Sequence, residues 1–414
     1  MSRLLMISSD CHAGTYPGGY DAYMPQKYHD SARRWWIGYA REMIQRAGTF
    51  FDQEAVESFT EETGEAGWLH QALDPRADLS DDQLTEMLRD ETSPFAPRRG
   101  EFDPEVRLAD LEGDGVVGEV VFPQMAPFGA GLMQYRREIR PEHNLAGVQA
   151  YNRWLADFCN THPGRHAGVA LINLDDIDVT LAEIARAKEA GLFGGVLLPT
   201  STGEHPFYHD KRYEPLWAAC ADLEMPLHSH SGWTPDYGDD VTAAAMFIQE
   251  VDTWAHRPFG ALVWSGVFER HPKLRFIMTE AGCSWILSEL RMMEHKWDNP
   301  IFAHFTTKMS LRPREYFQRQ CWLGASFLAP HEGEDRHRIG VERLMYGTDY
   351  PHIEGTWPNT MTEMRKTFAG YDEKDVRLIL GANAAEAYDF DLGQLGPLAE
   401  RLGPELDSIR SSDA

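Results

Sequence analysis

The chain has 414 residues, 43% hydrophobic and 11% aromatic, enough to bury a large core in one big domain or two ordinary ones. Its formal net charge of −26 argues against a nucleic-acid or anionic-membrane partner, since neither gains from a surface that repels it. Five cysteines (Cys11, Cys159, Cys220, Cys283, Cys321) without a Cys-x-x-Cys pair fit a reducing compartment, not a disulfide framework or a zinc finger.

The first apolar stretch, 3–9, is too short for a signal peptide and meets Asp10 too early, and no later run reaches the roughly 20 apolar residues of a membrane span. A cytoplasmic protein is expected. Residues 3–9 read as a strand covered on both faces, followed by Asp10-Cys11-His12 with Asp10 and His12 on one side and Cys11 on the other. The segment 13–104 is rich in aromatic residues, among them Tyr16, Tyr20, Tyr23, Tyr28, Trp35, Trp36, Tyr39, Phe50, Phe51 and Trp68, with helical stretches and a loop at 93–100. It reads as an insertion or cap over the body of the domain, or as peripheral padding.

From Arg107 a regular alternation begins. Helix 107–114 precedes strand 116–123; helix 141–161 precedes strand 167–173; helix 177–190, closed by Gly191, precedes strand 195–199. Helix 210–223 leads to a strand ending in His228-Ser229-His230, then helices 241–252 and 256–270 lead to strand 274–279. Helix 283–296, strand 321–327, helix 331–340, strand 344–347 and a helix at 373–388 complete the series, and 393–414 reads as a polar tail that frays. Eight strands, each followed by helix, imply an α/β fold of the (β/α)8 TIM-barrel type, formed by 1–12 and 105–392 as one domain.

In such barrels chemistry sits at the carboxyl ends of the strands. Those ends carry Asp10 and His12 (first), His230 with His228 one layer deeper (fifth), Glu280 (sixth) and Asp349 (eighth). Taken singly, an aspartate there can be a helix cap and a buried histidine a satisfied core group. Taken together, two imidazoles and carboxylates at one rim suit a single divalent cation, zinc first, with manganese or iron as alternatives. His228 can be a ligand, a group that orients a ligand, or a core histidine. The fourth strand has no lysine that could bridge two metals when carbamylated.

Ser9–His12, the stretch 218–230, the stretch 265–276 and Gly347-Thr348-Asp349-Tyr350-Pro351-His352 together resemble the amidohydrolase superfamily. Within it they resemble the branch of aminocarboxymuconate semialdehyde decarboxylase and γ-resorcylate decarboxylase. The likeness implies metal ligands at Asp10, His12, His230 and Asp349, with Asp349 also handling a proton. The family's histidine after the sixth strand is replaced here by Glu280-Ala281-Gly282. The expected enzyme is a metal-dependent decarboxylase of an aromatic or unsaturated acid, with Glu280 and Asp349 catalytic and His352 or His228 assisting. A metal-dependent hydrolase of a C–N or C–C bond, or a catalytically silent ligand-binding barrel, are the alternatives. Trp233, Arg33 and Arg34 are expected to contact the small-molecule substrate, with Arg98 and Arg99 as further candidates for a carboxylate clamp, and the resemblance implies a homodimer.

Overall fold

In the computed structural model, residues 3–50, 80–89, 97–130, 139–352 and 354–411 are described. Eight parallel strands follow one another in space in chain order: β1 (Ile7–Ala13), β2 (Gly118–Pro123), β3 (His166–Leu171), β4 (Gly195–Leu197), β5 (Leu227–His230), β6 (Phe276–Thr279), β7 (Cys321–Ser326) and β8 (Leu344–Gly347). Every residue of all eight is buried, as expected of strands walled by side chains inside and helices outside. The eighth strand returns to the first: Asp349 N–H donates to Asp10 O and His12 N–H to Tyr350 O. The expected (β/α)8 barrel is therefore the fold.

β1 begins later than its apolar pattern suggests and carries Asp10 and His12 within its last residues. Its register against β2 slips between Ser8 and Cys11, a bulge that re-aims the side chains there. Cys11 turns away from the interior and contacts Ser8 and Thr348. The helices expected at 241–252 and 256–270 form one helix, Val241–Trp264, capped by the Asp240 side chain on Ala243 N–H. The break comes instead at Gly266, whose φ of 73° suits a residue without Cβ.

The stretch after 392, expected to fray, instead forms helices Leu392–Leu402 and Leu406–Arg410. Leu395 and Ile409 are fully buried, and Leu4 N–H donates to Pro404 O, so apolar burial holds the tail against the start of the chain.

Between β1 and β2 the helices His29–Phe50, Asp81–Met87, Arg99–Phe102 and Pro104–Gly113 are described. Residues 51–79 and 90–96, with Phe51, Trp68 and the start of the 93–100 loop, lie outside the described residues, as does the Phe50 side chain. Tyr20 packs edge-on to Trp154 and Tyr23 donates to Asp157, so these two aromatics lie against the helix Pro141–Cys159. Arg107 joins this layer to the barrel. Fully buried, it makes a two-pronged pair with Glu119 (2.6 and 2.7 Å) and donates to the carbonyls of His12 and Gly100. His166 Nδ1 lies 2.6 Å from the same Glu119 carboxylate.

Candidate metal centre

The ends of β1, β5 and β8 meet at the carboxyl rim. Asp10 Oδ1 lies 3.3 Å from His230 Nε2 and 3.4 Å from His12 Nε2. His12 Nε2 is also 3.4 Å from Asp349 Oδ1. All four side chains are completely buried. Close backbone approach allows this: a Cβ on Gly347 would stand 2.6 Å from Asp10 Cβ.

Hydrogen bonds from outside the group set which nitrogen faces inward. His12 Nδ1 is 3.2 Å from Pro123 O and His230 Nδ1 is 3.1 Å from Ser231 O. In each ring Nδ1 is taken up by a carbonyl and Nε2 faces the centre, the placement of a metal-binding histidine. Among the described residues, His12 Nε2 and both oxygens of Asp349 are buried without a well-formed hydrogen bond, with only His352 Nδ1, 2.9 Å from Asp349 Oδ1, close by. An ionised carboxylate left so costs several kcal/mol unless a cation meets it. A divalent ion fits this donor set of two imidazoles and two carboxylates.

The titration behaviour of the metal-free chain tells the same story. Burial raises the Asp349 carboxyl well above its ordinary range, and the neighbouring Asp10 and Glu280 charges add to the effect against the opposing His352. Burial would raise Asp10 as well, but His230 and His12 outweigh it and hold it ionised. Burial works against a charge on His230, yet Asp10 lifts that ring to about 9. His12, desolvated and beside His352, falls to about 3 and stays neutral.

Two further groups face this centre. Glu280 Oε2 is 3.3 Å from His230 Nδ1 and accepts from the Ser231 hydroxyl, with its side chain 20% exposed. Burial pushes its carboxyl above the usual range, with the His230 charge opposing and the Asp10 charge assisting. His352 stacks on His12 with ring centroids 4.1 Å apart and sets Nδ1 2.9 Å from Asp349 Oδ1. Glu280 and Asp349 are non-glycine residues with φ of 51° and 55°, a conformation costing on the order of 1 kcal/mol, and such backbone gathers at functional sites.

The remaining expected residues sit apart from this group. His228 lies deeper, with Nε2 2.8 Å from Gly194 O and its ring stacked on Tyr388. Arg33 and Arg34 are exposed on the helix His29–Phe50, and Arg33 lies 3.8 Å from Asp21. Arg98 lies over Trp357 and Arg99 pairs with Asp103. Trp233, just past β5, is 9% exposed and packs edge-on to Trp254. Cys283, just past β6, has its thiol pushed up by burial, as for an unreactive core thiol.

Sequence reasoning missed four contributors. Ser326, at the end of β7, donates to Asp10 Oδ2. Gln124 Oε1 lies 2.5 Å from His352 Nε2. The Phe122 ring packs 4.5 Å from that of His230. Glu354, exposed, comes within reach of Glu280, Asp349 and His352. Only position at a strand end marked the first two, since neither serine nor glutamine suggests a metal site.

The family model described as Amidohydrolase matches residues 70–390. Among curated proteins, the chain is similar to decarboxylase orsB of Emericella nidulans, 26% identical over 216 residues, covering 46% of this chain and 59% of that protein. It is also similar to γ-resorcylate decarboxylase of Rhodococcus jostii, 27% identical over 217 residues, covering 48% and 64%. The chain thus spans about three fifths of the length of these curated relatives. Among solved structures, it superposes on a 5-carboxyvanillate decarboxylase of Novosphingobium aromaticivorans, complexed with manganese and 4-hydroxy-3-methoxy-5-nitrobenzoic acid. That match has a TM-score of 0.60, 15% identity, and covers 93% and 96% of the two chains; it is a likeness of fold.

Proposed function

The chain belongs to the amidohydrolase family, and from that premise we propose that it is a mononuclear metal-dependent decarboxylase of an aromatic carboxylic acid. The observation that carries the reading is the cluster of Asp10, His12 and His230, with Asp349 3.4 Å from His12 and the orphaned atoms His12 Nε2 and Asp349 Oδ1 and Oδ2 beside it. These four residues would hold one divalent ion. Zinc suits the donor set, and manganese is what the solved decarboxylase contains. When bound, the cation would supply Lewis acidity toward the substrate's carboxylate and a neighbouring oxygen.

The chain's own groups account for the proton. Loss of CO2 breaks the bond between the ring carbon and the carboxyl carbon, leaves the electron pair on the ring carbon, and needs a proton there. Glu280, its carboxyl raised by desolvation and only partly exposed, would give it from the acid form. It leaves as carboxylate, still hydrogen-bonded by Ser231, and regains a proton through its exposed edge. His352, on the other side of Asp349, steadies the charge that passes through the site. Trp233 offers an apolar wall and an indole N–H without a partner among the described residues.

A hydrolase of a C–N or C–C bond is the second reading, favoured by one observation. A carboxyl stands at 280, where the resembling decarboxylases carry histidine, and a carboxylate can take a proton from an attacking water. Incubation with a panel of hydroxylated benzoic acids separates the two: release of one CO2 per product supports the lyase, and turnover of amides or lactones without CO2 supports the hydrolase.

A cytoplasmic homodimer is part of the proposal. Five buried free cysteines and exposed apolar side chains such as Val241, Ile248 and Ile301 support it, and sedimentation velocity tests the dimer. Among the described residues no helix is long and apolar enough to cross a membrane.

A further inference from the structure

The end of β2 has no part in the chemistry outlined above, yet it touches both stacked imidazoles. Pro123 O receives His12 Nδ1 at 3.2 Å, and the next residue, Gln124, meets His352 Nε2 with its side-chain Oε1 at 2.5 Å. Gln124 is itself fixed: its N–H donates to Ala13 O, and a Cβ on Gly14 would stand 3.1 Å from Gln124 Cβ, so β1 and β2 hold it closely. An imidazole has two nitrogens and two ring orientations, and an amide oxygen on one nitrogen selects between them. With Nε2–H given to Gln124, Nδ1 is the atom left on the side of Asp349 and the reacting centre.

We propose that Gln124 is a positioning residue for His352, fixing the ring so that Nδ1 faces the substrate side beside Asp349. Its acceptor oxygen supplies the orientation; the amide NH2 is dispensable. This rests on the decarboxylase reading for its kinetic consequence, but the orientation is a property of the resting protein. Ring stacking on His12 limits tilt, and the Gln124 contact removes the remaining freedom to flip.

The test uses the full-length chain loaded with zinc, labelled with 15N-histidine, in three forms: wild type, Gln124→Leu and Gln124→Glu. Gln124→Leu keeps the bulk and removes the acceptor; Gln124→Glu keeps the acceptor. In wild type the His352 Nε2–H proton should resonate downfield and exchange slowly with solvent. The expected result is loss of that signal in Gln124→Leu, its return in Gln124→Glu, and unchanged zinc content in both. With the aromatic acid that the wild type turns over, kcat falls ten- to a hundredfold in Gln124→Leu while KM stays within about threefold, and Gln124→Glu recovers most of the loss. A protected Nε2–H that survives Gln124→Leu, or a Gln124→Glu variant no better than Gln124→Leu, overturns the proposal. A wild type that releases no CO2 from any acid would count against the function alone, because the nitrogen signal is read without substrate.

Discussion

Asp10 Oδ1 and His230 Nε2 face each other at 3.3 Å across the barrel mouth, from the ends of the first and fifth strands. His12 joins them at 3.4 Å, and the adjoining Asp349 carboxylate has both oxygens buried without a well-formed hydrogen bond among the described residues, so its charge is costly there. A cation binding only the folded chain stabilises it by mass action, by about 4 kcal/mol at a thousand times its Kd. Chelation should therefore lower the melting temperature by several degrees, and zinc or manganese should restore it. His230→Ala should melt at the same temperature with and without chelator; calorimetry reads both.

Glu280→Gln removes the proton while keeping size and one hydrogen-bonding oxygen. Metal content should be unchanged, and kcat should fall by a factor on the order of 10² to 10⁴, the usual worth of a positioned acid. An unchanged kcat would remove Glu280 from the mechanism and leave His352 as the acid.

The Arg107–Glu119 pair is fully buried, and His166 shares the carboxylate. Glu119→Ala leaves the guanidinium uncompensated and should cost roughly 3–5 kcal/mol. Arg107→Met combined with Glu119→Leu, which removes both charges, should recover much of that loss. Denaturant titration of the three variants is the check, and equal losses in single and double variants would contradict the account.

Buried histidines should make the stability of the metal-free chain depend on pH in opposite senses on the two sides of about pH 6.5. Burial lowers His228 to about 3 and His256 to about 4. The unfolded chain therefore takes up protons first as pH drops below about 6.5, and stability falls by about 1.4 kcal/mol per pH unit for each proton. Burial opposes charge on His230 and His352 too, but Asp10 and Asp349 lift them to about 9 and about 10. Their contribution is complete below pH 6.5 and is lost as pH rises through 9 to 10. Saturating metal should abolish the high-pH fall and leave the low-pH fall, as urea titrations from pH 4.5 to 10 would record.

The barrel was legible because buried parallel strands leave plain apolar runs, and the strand-end residues Asp10, His12, His230 and Asp349 stood out because such polar groups need a reason to be inside. The contributions of Ser326 and Gln124 were not legible: their residue types are common, and only the barrel's closure brings them to Asp10 and His352. The helix boundary at Gly266 and the docked tail also escaped: the helix expected at 256–270 ran through Gly266, and the apolar Leu395 and Ile409 were outnumbered by polar neighbours.

Anomalous diffraction from crystals grown with manganese tests the central claim most directly. One peak should lie about 2.0–2.2 Å from Asp10, His12, His230 and Asp349, the distance of directly bound nitrogen and oxygen ligands. A map with no peak among those four side chains, or with its peak elsewhere on the molecule, would contradict it.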